Sequence, residues 1–168
     1  TPMDESNPYE MGRIESEKML DIIENWSWGK RDEKEIYYDV ESRKNSISYR
    51  GNISRLVEQL ISENKVKEAE IILDMCMKKM PVNEFGYYTL LEPIINSYYR
   101  INKSEKARKI FDEIAIKYQE NLFYYSTISD SNKNKYAEEI YIDIERYRSL
   151  VDVVLNYEEG EFPDLRMK

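Results

Sequence analysis

Thirty-three carboxylates, fifteen tyrosines, one cysteine and no histidine set the chemistry open to this sequence. Without histidine, the commonest general base and metal ligand is missing. No glycine-rich phosphate loop and no nucleophile elbow occurs. The densest acidic group is Glu158-Glu159-Gly160-Glu161 with Asp164. It offers oxygen ligands of the kind Ca²⁺ takes, but not at the spacing of a calcium loop, and reads as a solvated acidic tail. Glu139 and Glu145 make no better case. Cys76 falls on an apolar helical face and reads as a packing residue. A lone cysteine excludes an internal disulfide and a multi-cysteine metal site. No catalytic residue, metal or cofactor is therefore expected. Asn25, Asn52 and Asn102 each head an Asn-x-Ser triplet, which reads as chance in a helical chain rich in Asn and Ser. Tyr98 and Tyr147 fall on apolar stripes and are expected in the core. Tyr87-Tyr88 and Tyr124-Tyr125 fall near helix ends or linkers, where a ring with a polar tip suits an interface, including stacking on a sugar or peptide.

The charge balance excludes some partners. Net charge is −8, and no run of Lys and Arg exceeds two residues. Phosphate contacts need concentrated basic residues, so nucleic acid is not an expected partner. Anionic lipid is excluded as a direct ligand on the same ground. No run approaches the 18 or so apolar residues of a membrane span, and no signal peptide is present. The sequence begins with Thr1 rather than Met, and a fragment or processed product is expected, with an upstream part missing. Hydrophobic residues at 41% against 35% charged suit thin helical layers with much surface, and five Gly with five Pro argue against an all-β fold.

These side chains are positioned by helical hairpins. From Gly51 to Pro81, Ile53, Leu56, Val57, Leu60 and Ile61 mark one face of a helix, and Val66, Ala69, Leu73, Cys76 and Met80 mark a second. Between them Asn64 suits a left-handed helix stop, and Pro81 ends the pair. Aligning Ala69 with Ala107 returns the pattern 38 residues later, as Leu91, Ile94, Ile95, Tyr98, Ala107, Phe111 and Ile114. The turns Asn64-Lys65 and Asn102-Lys103 also correspond. The spacing resembles the tetratricopeptide repeat, whose period is about 34 residues. Val57 departs from the small residue that family prefers, and Gln119 replaces the closing proline, so the second hairpin's last helix is predicted to run on toward Tyr125. About four extra residues fall in the linker 82–88.

An all-α fold of the tetratricopeptide-like kind is expected, as one domain over residues 10–157 with repeats at about 50–81 and 88–119. A flexible linker is expected at 1–9, a helix over 14–26 with Met19, Ile22, Ile23 and Trp26 on one stripe, and a charged loop at 30–35. Ile36-Tyr37-Tyr38 reads as extended. Asp39 is the predicted N-cap of a long helix that enters the first repeat, with Gly51 as a point of bend or break. Pro93 is tolerated if Thr89 caps its helix. Residues 126–134 read as turn. A capping helix at about 133–156 carries Tyr136, Ile140, Ile144, Tyr147, Val151 and Val154 on one stripe and covers the end of the stack. Residues 158–168 read as a loose tail.

A wider similarity runs from Gly12 to Tyr157. Gly12-Arg13-Ile14, Lys18-Met19, Trp28-Gly29, Tyr38-Asp39, Pro93-Ile94, Tyr98-Tyr99, Glu105-Lys106-Ala107 and Tyr124-Tyr125 come in an order that resembles the soluble C-terminal region of a bacterial family of multi-pass membrane proteins related to protein O-mannosyltransferases. The resemblance implies a helical appendage on the extracytoplasmic (periplasmic) side of a glycosyltransferase-like membrane body, with a cytoplasmic placement as the alternative. The family's acidic catalytic residues belong to that body and match no position here. The expected partners are a protein or peptide and that membrane body. The candidate groove is lined by Ser54, Glu58 and Ile61 in one hairpin and Glu92, Asn96 and Tyr99 in the other, flanked by Arg50 and Arg100. The expected function is a non-catalytic interaction or scaffolding domain. The alternatives are a domain presenting an acceptor polypeptide or glycan to the enzyme, and a free-standing soluble adaptor.

Overall fold

A computed structural model describes residues 14–28, 37–86 and 91–158. Among them every element is a helix, eight in all and no strand, as an all-α fold requires. In chain order they are α1 (Ser16–Glu24), α2 (Val40–Ser62), α3 (Val66–Lys79), α4 (Val82–Phe85), α5 (Leu91–Arg100), α6 (Ser104–Thr127), α7 (Asp130–Lys135) and α8 (Ala137–Tyr157). The chain is described as two compact units, Thr1–Phe85 and Gly86–Lys168. Residues 1–9, 30–35 and 159–168, Ile36, Tyr87-Tyr88 and Thr89, on which several expectations fall, lie outside the described residues.

In the first unit, Asp39 starts α2 as its pattern predicts. Its carboxylate accepts from the Ser42 amide at 2.9 Å and from the Ser42 hydroxyl at 2.8 Å. Those bonds, the backbone one first, hold the Asp39 carboxyl below its ordinary value. Gly51 does not break the helix: α2 runs unbroken through it. The ~1 kcal/mol that glycine costs there is outweighed by the burial of the next two turns, because Ile53, Leu56, Val57 and Leu60 are all completely buried. The turn to α3 is made by Asn64, at φ 60°. The Lys65 amide donates to the Leu60 carbonyl at 2.8 Å and the Asn64 amide to Ile61 at 3.0 Å. This is the Schellman pattern, and it satisfies carbonyls that a helix end leaves orphaned. Helix α3 packs on α2 and buries Ala69, Ile72, Leu73 and Cys76. Burial pushes the Cys76 thiol up to about 12, against the opposing pull of the Arg50 charge.

Arg50 is not a flank of any groove. Its side chain is fully buried, and Nη2 donates to the Met80 carbonyl at 2.8 Å. A cation there suits the negative end of α3. Pro81 does end the hairpin, but its carbonyl also accepts from Glu84 and Phe85, so part of the expected linker is the helical turn α4, packed on α2. Helix α1 ends sooner than its stripe implies. Asn25 stops it, with the side-chain amide donating to the Asp21 carbonyl at 2.7 Å. Ile23 is buried, Ile22 is exposed, and Trp26 lies beyond the helix. Ser16 ties α1 to the end of α2, its hydroxyl donating to the Glu63 carboxylate at 2.7 Å.

The second unit repeats the construction. Asn102 has φ 59°. The Lys103 amide donates to Tyr98 and the Asn102 amide to Tyr99, both at 2.9 Å. Each pair lies 38 residues after its counterpart, as do the completely buried Ala69 and Ala107. Pro93 sits near the start of the described part of α5, where its missing N–H costs little. Helix α6 does run past Gln119, to Thr127. The chain after α6 departs from expectation in two places. Part of the expected turn is the short helix α7. Tyr136, just before α8, and Ile144 on it are exposed, while Asp143, Leu150 and Val154 are buried. The stripe is rotated because α8 meets α6 through polar groups that an apolar pattern cannot register. The Asn121 amide donates to Asp143 at 3.2 Å, the Gln119 amide donates to the Tyr147 hydroxyl at 2.9 Å, and Tyr147 stacks on Tyr118.

Candidate functional site

The groove positions fare differently in the two units, and each unit is taken by itself. In the second, three of the four are taken by the chain's own last helix. Glu92 accepts from the Ser149 hydroxyl at 2.8 Å, and Asn96 Oδ1 accepts from the Tyr157 hydroxyl at 2.8 Å. Tyr99 is buried, with its ring stacked on that of Tyr157 at 4.7 Å and 5° between planes. Its hydroxyl donates to Glu158 Oε1, and Arg108 Nη1 holds Oε2 of the same carboxylate at 2.7 Å. Burial first, and then the neighbouring Glu158 carboxylate, raise the Tyr99 phenol above its ordinary value. Glu158 is thus the fastener of α8 rather than the start of a loose tail. Arg100 remains exposed.

In the first unit, Glu58 is exposed and Ile61 half-buried. Ser54, expected to face outward, is buried, and its hydroxyl has no hydrogen-bond partner among the described residues. A polar group there would cost free energy, and the structure gives no compensating contact for it. Of the three Asn-x-Ser residues, all exposed, Asn25 is the helix stop, Asn102 the left-handed cap, and Asn52 lies inside α2. Tyr98 is buried and Tyr147 half-buried. Tyr124 is exposed, and its half-buried neighbour Tyr125 lies close to the Tyr136 ring. No group of three or more His, Cys, Asp or Glu that could hold a metal occurs among the described residues, and no described helix is long and apolar enough to cross a membrane.

The first unit also holds a cleft that the groove expectation missed, with a volume of about 370 Å³. Its aromatic wall is Trp26, Trp28 and Tyr49. Trp26 meets Trp28 edge to face at 5.5 Å and 64°, and Tyr49 at 5.3 Å and 77°, while Trp28 and Tyr49 lie 6.5 Å apart. Tyr38 and Phe85 form a second pair at 4.7 Å, and Met80 completes the apolar lining. Ser27, Ser42, Asn45 and Ser46 supply the polar part. The two ends of the site come from opposite ends of the hairpin. Helix α2 offers Ser42, Asn45, Ser46 and Tyr49, which recur at steps of three, one and three and so share one face. The Phe85 side arrives because α4 folds back on α2, where the Ser46 hydroxyl reaches the Phe85 carbonyl at 3.5 Å. No lining residue is charged.

Such a cleft can hold a neutral group that has apolar surface and a few hydrogen-bonding atoms. The signal for it was present in the sequence. The α2 stretch carries two stripes, an aliphatic one that builds the hairpin and a polar–aromatic one from Ser42 to Tyr49. Its partners Trp26 and Phe85 lie too far off in sequence to be joined to it without the fold. Comparison with known proteins adds no relative: no protein-family model, no curated protein and no solved structure matches the chain.

Proposed function

We propose that this chain is a non-catalytic protein-interaction module built from two tetratricopeptide-like hairpins. The observation that carries the reading is the 38-residue correspondence of caps and core, Asn64 with Asn102 and Ala69 with Ala107. Repeated hairpins generate concave and cleft-like surfaces suited to extended partners. The cleft between α2, α4 and the segment after α1 supports it further, being neutral, aromatic and partly exposed. In this proposal the module is the extracytoplasmic appendage of a glycosyltransferase-like membrane body, as the resemblance of the sequence to that family implies. A second reading, presentation of an acceptor polypeptide or glycan to that body, draws on the same aromatic wall, since tyrosine and tryptophan serve both kinds of ligand.

A photo-crosslinking residue in place of exposed Asn45, in the full-length protein in cells, tests the reading. A discrete crosslinked polypeptide, identified by mass spectrometry as a partner or as the membrane body, is the expected result. Sugar transfer or hydrolysis by the purified chain alone contradicts the non-catalytic part. A full-length open reading frame without membrane spans before Thr1 rejects the appended-domain part and leaves the interaction module standing.

A further inference from the structure

We infer that the cleft of the first unit binds a proline-rich segment in the polyproline II conformation. The inference rests on the interaction-module reading and names the chemistry of the partner segment. Three properties of the cleft lead to it. The first is the arrangement of the rings. Trp26, Trp28 and Tyr49 meet at 50–77°, so they present a ridged wall of ring edges and faces rather than one flat platform. A ridged aromatic wall is the kind of surface on which proline-rich segments dock.

The second property is hydrogen-bonding polarity. The indole N–H groups of Trp26 and Trp28, the Asn45 amide and the Tyr49 hydroxyl make no hydrogen bond among the described residues. An indole N–H can only donate. A polyproline segment is the matching backbone, because its carbonyls are solvated acceptors and its ring nitrogens carry no N–H to satisfy. A cationic ligand would find no carboxylate in the lining. The third property is length. Ser42 to Tyr49 spans about 10 Å along α2 at 1.5 Å per residue. One turn of polyproline II, three residues, covers about 9 Å. The α2 side of the cleft therefore matches a single turn in length. Because that helix is pre-formed, little chain entropy is lost on docking.

Trp26 and Trp28 are the only two tryptophans in the chain, and both line the cleft, so intrinsic emission reports on this site without background. The test titrates the intact chain with a capped hexaproline peptide, a capped Gly-Ser peptide of equal length, a mannose trisaccharide and choline, and follows tryptophan emission together with amide and side-chain NMR shifts. The expected result is a saturable emission change with hexaproline and shifts at Asn45 and Tyr49. Trp28→Ala weakens binding about tenfold or more. Tyr49→Phe and Asn45→Ala, which remove only hydrogen-bonding groups, weaken it about threefold each in chains whose amide spectra are otherwise unchanged. Equal or tighter binding of the Gly-Ser peptide at these residues overturns the proline assignment and leaves the interaction-module reading intact. Saturable binding of the trisaccharide or choline alone, or no response to any peptide, overturns both at this site.

Discussion

Glu58 in the first hairpin and Asn96 in the second stand 38 residues apart, each six residues before the same kind of cap, and their surroundings differ. Glu58 is exposed, whereas Asn96 accepts a hydrogen bond from Tyr157. The next pair behaves likewise, with Ile61 half-buried and Tyr99 buried beneath the Tyr157 ring. The shared part of the two hairpins is what each needs in order to fold: a left-handed asparagine, a crossed pair of orphan-carbonyl bonds, and an alanine of no exposure. The part that differs is what lies against the outer positions of each first helix. The second unit covers them with α8. In the first, Glu58 is exposed, and another face of α2 opens an aromatic cleft. The two hairpins thus share caps and core, while their outer positions have different surroundings.

Substitutions can separate the shared part from the divergent one. The largest effects belong to the shared core. Leu73→Ala and Phe111→Ala occupy equivalent places, and each is expected to destabilise its own unit, by about 2–5 and about 3–5 kcal/mol respectively. Urea unfolding followed by residue-resolved NMR checks this, and a loss below about 1 kcal/mol in either one breaks the equivalence. Arg50→Met comes next. Losing a charged donor to the buried Met80 carbonyl is expected to cost about 1.5–3 kcal/mol, with faster amide exchange confined to the end of α3 and to α4.

Much of the shared scaffold was legible in the sequence because its causes are local. Asp39 followed by Ser42, asparagine between two apolar periods, and glutamine where a proline would stop the helix each act within a few residues. The expectations that failed needed longer reach. Tyr99 and Glu158 are 59 residues apart, and neither is apolar-periodic in a way that links them. Asp143 is a carboxylate on a buried face, which a hydrophobic pattern places in water, and its partner Asn121 comes from another helix. The cleft joins Trp26, Tyr49 and Phe85 from three separate elements. Arg50 looked like a groove cation because its helical position was right, yet burial against Met80 depends on how the chain turns after α3.

The divergent part yields smaller and unit-specific effects. Tyr157→Ala removes a stacked ring and the bond to Asn96, and is expected to loosen only α8, by about 1–2 kcal/mol, with new amide exchange at its C-terminal turn. Unchanged protection there separates α8 from the groove positions and undoes the contrast. The caps test the shared part again at lower amplitude. Asn64→Ala and Asn102→Ala should each cost about 1 kcal/mol, because both residues have positive φ, while glycine at either site is tolerated. The smallest effect is a pH response in the first unit. Bonds from Lys65, Ser16 and Gln59 hold the Glu63 carboxyl down at about 2, from an ordinary 4.5. A depressed carboxylate contributes stability that is full above its unfolded value and is lost as pH falls toward the folded one. Docking of α1 through Ser16 should therefore weaken between about pH 4.5 and 2, and Glu63→Gln should remove that pH dependence in Ser16 chemical shifts.

Solvent paramagnetic relaxation by a soluble gadolinium chelate, measured by NMR over the whole chain, is the decisive test of the contrast between the two hairpins. Strong relaxation at Glu58, Asn45 and Tyr49 with protection of Tyr99 is the predicted result. Equal relaxation of Glu58 and Tyr99, or a protected Tyr49 beside an accessible Tyr99, contradicts it.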